Sequence, residues 1–141
     1  MDKRTLAYWV TTVVFCLVLA FSGIAHFGRI DFMVESMTGL GYPVYFMSII
    51  GLAKLLGVAT LIAPGLPLLK EWAYAGFAFN LSGAVASHLF VGDPLSEFAP
   101  PAGLLLVATA SYLLRPTSRR LSNVPALANA AAVASSKQQA G

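Results

Sequence analysis

Residues 5–27 contain no Asp, Glu, Lys or Arg, and their only ionisable side chains are Tyr8, Cys16 and His26. An uncharged, mostly apolar run of this length constrains the fold more than any other feature of the chain. About 20 apolar residues, rising about 1.5 Å each as a helix, cross the hydrocarbon core of a bilayer. Residues 6–27 are therefore predicted to be a membrane span. The preceding MDKR would also suit the basic start of a signal peptide. The apolar run, however, exceeds the about 7–15 residues usual there, and no clear A-x-A site follows. The run is therefore expected to be an uncleaved helix.

Three more apolar runs follow. One covers 44–63, opened by GYP and closed by PGLP; one covers 72–91 and stops at GDP; a shorter one covers 98–114 and ends at RP. Gly and Pro punctuate each run, and Pro100 and Pro101 are expected in a first helical turn, where no amide partner is needed. Short connections make consecutive helices antiparallel neighbours. The expected fold is an all-α membrane protein, an up-down bundle of four transmembrane helices within residues 1–116. Between the first two spans, RIDFMVESMTGLGYP is too polar to cross. There Asp31 is expected to cap a short helix with Met33, Val34 and Met37 on its apolar side and Gly39 as its stop. That helix is expected to lie in the outer interface. Residues 117–141 are rich in Ala, Ser, Asn and Gln and are expected to form a disordered cytoplasmic tail.

Composition agrees with lipid as the solvent. The 141 residues are 57% hydrophobic and 11% charged, against about 25% charged in soluble domains. A soluble fold so poor in charge would expose large apolar patches. A net charge of +3, confined mostly to the ends and without a basic stripe interleaved with aromatics, excludes a nucleic-acid partner. Cys16 is the single cysteine, so there is no intrachain disulfide and no CxxC pair; it reads as a small packing residue.

Charge also sets direction. With a cytoplasmic N-terminus, the cytoplasmic segments hold Lys3, Arg4, Lys70, Arg115, Arg119, Arg120 and Lys137, and the outer loops hold Arg29 with Asp31, Glu35, Asp93 and Glu97. Seven basic residues against one is a positive-inside bias. Both termini are expected on the cytoplasmic side of the cell membrane. Trp9 and Trp72, with Tyr8 and Tyr74, then fall at the cytoplasmic boundary as an aromatic belt.

The few polar residues inside the spans are the candidates for function. Lys54 and Asn80 each lie roughly 12 Å from the cytoplasmic ends of adjacent antiparallel helices, so they share a depth and the amide oxygen is placed to accept from the ammonium. A charged lysine near mid-membrane costs about 2.5–3.5 kcal/mol. Lys54 must therefore face the bundle, deprotonate, find water or snorkel, and a functional role stands beside a structural hydrogen bond. Ala73, Gly76, Asn80, Gly83 and Ser87 recur at spacings of three and four, one helical face. Small residues on such a face let backbones approach, with Asn or Ser bonding across the contact, so this face is expected to pack against another helix. Thr12, Ser22 and His26 repeat the pattern more weakly on the first span. His26 and His88 both fall near outer helix ends, close to Asp31, Glu35, Asp93 and Glu97. They read as interfacial hydrogen-bonders or, more sharply, as a proton relay or quinone-headgroup contact. No HxxxH or HxH spacing supports a metal, and none is expected. No nucleophile–base arrangement, P-loop or GxGxxG occurs.

The segments YWVTTVVFCLVLAFSGIAHF, LGYPVYFMSIIGLAKLLGVATLIAPG, LKEWAYAGFAFNLSGAVASHLFVGDP and SYLLRP together resemble the DoxX-like family of small four-helix bacterial membrane proteins. The resemblance covers about residues 8–116. Its pattern falls on Gly41, Tyr42, Pro43, Lys54, Trp72, Ala73, Tyr74, Gly76, Phe77, Ser87, His88, Gly92 and Asp93. It implies a compact four-helix membrane fold. The wider group is named for a thiosulfate:quinone oxidoreductase subunit, which implies membrane redox partners and quinone as a candidate cofactor. The resemblance implies Asp where this chain has Asn80, so a Lys–Asp pair is reduced here to Lys–Asn, which weakens a charge relay there, and the lack of cysteine pairs weakens sulfur transfer. The leading expectation is an accessory or quinone-associated component of a membrane redox system, partnered by redox subunits. A permeation component acting as a homo-oligomer and a purely structural subunit are the alternatives.

Overall fold

A computed structural model describes residues 2–121 together with Ser135, Ser136 and Gln138. Among the described residues there are five α-helices and no strand: α1 (Lys3–Phe27), α2 (Asp31–Gly39), α3 (Val44–Ile62), α4 (Pro67–Val91) and α5 (Leu95–Leu114), followed by a 3-10 turn over Thr117–Arg119. α1 packs between α3 and α5, and α4 packs between the same two, so the four long helices close a ring. The short α2 rests on α3 and α1 at one end.

Three of the helices, α1, α3 and α5, are long and apolar enough to cross a membrane. α4 is as long as α1 but is not among them, because Asn80, Ser82, Ser87 and His88 dilute its hydropathy. The bundle is turned outward in the manner of a protein in lipid. Leu17 and Phe21 on α1, Leu56 on α3, Phe79 and Phe90 on α4 and Leu106 on α5 are all largely exposed, a contiguous apolar exterior that water would not tolerate.

The interior is aromatic and aliphatic. Phe15, Cys16 and Leu19 of α1 meet Val58 and Leu61 of α3, Tyr74, Phe77 and Leu81 of α4, and Ala108 of α5. Phe15 and Phe77 touch edge to face, with ring centroids 5.3 Å apart at 86°, the arrangement that the ring quadrupoles favour. The tightest seam joins α1 to α3. A Cβ added at Gly51 would stand 2.6 Å from the Phe27 amide nitrogen and 2.8 Å from the Gly23 carbonyl oxygen, so backbone meets backbone there.

Helix ends differ in several places from the sequence reading. α4 starts at Pro67, five residues before the expected span, because Pro67 suits a first turn. α5 starts at Leu95, so Pro100 and Pro101 lie inside the helix rather than in its first turn. They withhold the amides that would bond the carbonyls of Ser96 and Glu97, a small loss because both residues are exposed. Asp31 opens α2 as its first residue but makes no capping bond; Ile30 is the cap. The left-handed residue after α2 is Gly41, with φ +83°, and not Gly39.

The first residues of the expected tail are held in place. α3 ends at a breaker, Pro64-Gly65, and leaves its last carbonyls without helical donors. Lys70 Nζ, almost wholly buried, donates to the carbonyls of Thr60 (2.7 Å) and Ala63. Arg119 donates to those of Leu61 (2.9 Å) and Ile62 (3.5 Å), and its guanidinium lies 4.5 Å from the Trp9 ring centroid. Cations are favourable at that end of the helix dipole. The remainder of the expected tail lies outside the described residues, apart from Ser135, Ser136 and Gln138.

Candidate functional site

The antiparallel register of α3 and α4 follows from one contact: a Cβ at Gly57 would stand 2.5 Å from the tip of the Phe77 ring. Three residues back along α3 and three forward along α4 are Lys54 and Asn80. Both line a groove of about 190 Å³ between the helices, with Gly57, Trp72, Gly76 and Phe77 among its walls. The depth match read from the sequence is therefore present.

The expected bond between them is replaced by another. Lys54 Nζ donates to Ser22 Oγ of α1 at 3.0 Å. The reason is geometric: α3 presses closely on α1 around Gly23 and Gly51, which brings the flexible lysine stem within reach of the serine that precedes Gly23. His26 completes a polar cluster on α1. Its Nδ1 donates to the Ser22 carbonyl at 2.7 Å and lies 3.4 Å from Ser22 Oγ. Ser22 thus links a cation and an imidazole. Among the described residues the carboxylates in contact with a basic side chain are Asp93, with His88, and Glu71, with Arg115, so Lys54 has a hydroxyl partner and no carboxylate.

His88 belongs to a separate place. Its Nδ1 donates to Asp93 Oδ2 at 2.7 Å, just past the turn at Gly92, whose φ of +78° folds the chain back on the helix end. The pair borders a cavity of about 300 Å³ with Glu35, Ser36 and Glu97. His26 is not in its lining, so the two histidines share an end of the bundle without sharing a site. Among the described residues no group of three or more His, Cys, Asp or Glu side chains could hold a metal ion.

The face of α4 expected to pack inward does not. Gly76 and Gly83 are exposed, with open space where a Cβ would stand, and the buried face is Tyr74, Phe77 and Leu81. Ala73 and Ser87 lie at the margin, half-buried, and Ser87 Oγ is 2.8 Å from the Tyr42 hydroxyl. The bulky residues of α4 fill the ring, and the small ones look out.

Sequence reasoning missed a second polar cluster. Ser111 Oγ of α5 bonds both Thr12 Oγ1 of α1 and the Tyr74 hydroxyl of α4, each at 2.7 Å and each buried. Toward the basic end, Glu71 accepts from Arg115 Nη1 (2.7 Å) and from the Tyr112 hydroxyl (3.0 Å). Arg115 also stands 3.9 Å from the Tyr112 ring centroid. Depth matching, which found Lys54 and Asn80, would also have set Tyr74 and Ser111 at a similar level near the cytoplasmic ends of their spans, but not Thr12, which lies deeper.

No curated protein and no solved structure matches the chain. The family model described as the DoxX-like family matches residues 10–111. A match over most of the chain, on a helical bundle with an apolar exterior, settles the affiliation: this is a membrane protein of the DoxX-like family.

Proposed function

We propose that the chain threads the cell membrane four times, α4 included, with Met1 and the segment after α5 on the cytoplasmic side, and that it serves a membrane redox system as a quinone-associated accessory component. The observation that carries this reading is Lys54. A lysine inside a span, bonded to a hydroxyl and facing no carboxylate, is costly, and a residue of that kind marks a functional site by default. Its side chain lines a groove with Asn80, and a swing of the flexible stem away from Ser22 would set an ammonium and an amide, both donors, on one slot. Such a pair suits the carbonyl oxygens of an apolar ring entering sideways from the bilayer. A groove of about 190 Å³ fits a headgroup and not a whole isoprenoid. A quinone, when bound, supplies reversible two-electron chemistry; the residues of this chain hold and orient it. The redox setting itself is the family's expectation. Support for α4 as a span comes from Phe79 and Phe90, 80% and 91% exposed.

Trp72 lines the groove, which gives a direct test. In a Trp9→Phe background, a short-chain quinone should quench the remaining Trp72 fluorescence saturably, and Lys54→Met should weaken binding about tenfold or more, the loss expected for a charged hydrogen bond. Linear, non-saturating quenching that is identical in Lys54→Met would remove the proposal. The second reading, a purely structural subunit, is favoured by the Thr12–Ser111–Tyr74 and Tyr42–Ser87 bonds, which tie helices to one another. It predicts that Lys54→Met leaves every cellular phenotype unchanged.

A further inference from the structure

The basic end of the α4–α5 seam carries two cavities that share a wall. The first, about 460 Å³, is an apolar groove between the helices, formed by Ala75, Ala78, Leu105, Ala108 and Thr109 and closed at one end by Glu71 and Tyr112. The second, about 450 Å³, begins at the same Glu71 and Tyr112 and is lined by Arg4, Arg115 and Arg120. Three guanidiniums therefore face one carboxylate. Arg115 is spent on that carboxylate and on the Tyr112 carbonyl. Arg4 Nη2 and Arg120 Nη2 both donate to one oxygen, the Leu113 carbonyl, each at 3.1 Å. Two like charges gathered on a single carbonyl leave a local excess of positive charge and several unused N–H donors.

We propose that this double cavity binds an anionic phospholipid. The phosphodiester takes the arginine pocket, where guanidiniums match its oxygens in pairs, and an acyl chain lies in the α4–α5 groove. Each half by itself is ordinary: basic residues gather at membrane surfaces, and apolar grooves face lipid. Their adjacency across the shared wall of Glu71 and Tyr112 is what selects a molecule that is anionic at one end and apolar at the other and can straddle that wall. A neutral lipid leaves the arginines unmatched, and free phosphate leaves the groove empty. The inference rests on the bundle lying in a bilayer, but not on the quinone proposal.

The test uses the full chain in neutral detergent, stripped of lipid, then offered phosphatidylglycerol or phosphatidylcholine, with retained lipid counted by native mass spectrometry and the thermal midpoint followed. Phosphatidylglycerol should be retained about tenfold over phosphatidylcholine and should raise the midpoint. The Arg4→Gln/Arg120→Gln variant, altered at residues outside the core, should lose that preference while keeping its helical circular dichroism. Ala78→Phe, which fills the groove, should lose retention with the arginines intact. Lys3→Gln, at the same end but outside the pocket, should change nothing. Equal retention of the two lipids, an equal midpoint shift with inorganic phosphate alone, or an equal loss in Lys3→Gln would each overturn the site. A chain that stays soluble without detergent would instead overturn the membrane placement, so the two failures are told apart.

Discussion

Glycines fall in two regions of this molecule, one on each helix of the α1–α3 seam and two at helical spacing along α4, and the two sets do opposite things. Gly23 and Gly51 stand where two backbones meet; Gly76 and Gly83 stand over open space. In water the difference would be visible in the sequence, because apolar neighbours mark the buried face of a helix. In lipid they do not. Both faces of α1 and α3 are apolar, so no amphipathic stripe fixes their rotation, and small-residue spacing permits close packing without saying which helix will use it. What decides the case is volume: α4 sends Tyr74, Phe77 and Leu81 into the ring, and the space they fill leaves its glycines outside.

Substitutions at the two sets of glycines test that contrast directly. The largest effect is expected at Gly51→Ala, whose new methyl group meets backbone atoms that cannot rotate away. A loss of about 3 kcal/mol in detergent unfolding is expected, and a loss under about 1 kcal/mol would mean the seam is looser than described. Ser111→Ala should follow, at about 1–2 kcal/mol, since it strips a shared partner from two buried hydroxyls; Thr12→Val on top of it should cost much less than it does alone, which a double-mutant cycle measures. Gly57→Ala should cost about 1 kcal/mol, because the clash is with the movable end of the Phe77 ring. Gly83→Ala is the smallest and has the opposite sign: with nothing to strike, it should stabilise by up to about 1 kcal/mol through helix propensity. If Gly83→Ala destabilises instead, that face is packed against something.

The sequence made the axial coordinate of this protein legible and left the angular one obscure. Run lengths and breakers located the helices, and equal counts from the ends placed Lys54 beside the level of Asn80 and His88 at the end that carries Asp93. Rotation about each axis was out of reach, so Ser22 as the partner of Lys54, and Ser111 between Thr12 and Tyr74, emerge only from the packed ring. Lys70 is a further instance. Its charge counts toward the orientation bias, yet the side chain is buried and spends its ammonium on the carbonyls that end α3. Composition cannot distinguish a cation that faces a membrane surface from one that seals a helix.

The proposed topology stands or falls on α4 crossing the bilayer, although α4 is not among the helices apolar enough to be read as spans by composition. In a Cys16→Ala background, single cysteines at Leu68→Cys and Glu97→Cys bracket that helix, and a membrane-impermeant maleimide applied to intact cells reads which side each occupies. If α4 spans, the cysteine at 97 labels in intact cells and the one at 68 labels only after permeabilisation. Labelling of both from the same side would contradict it.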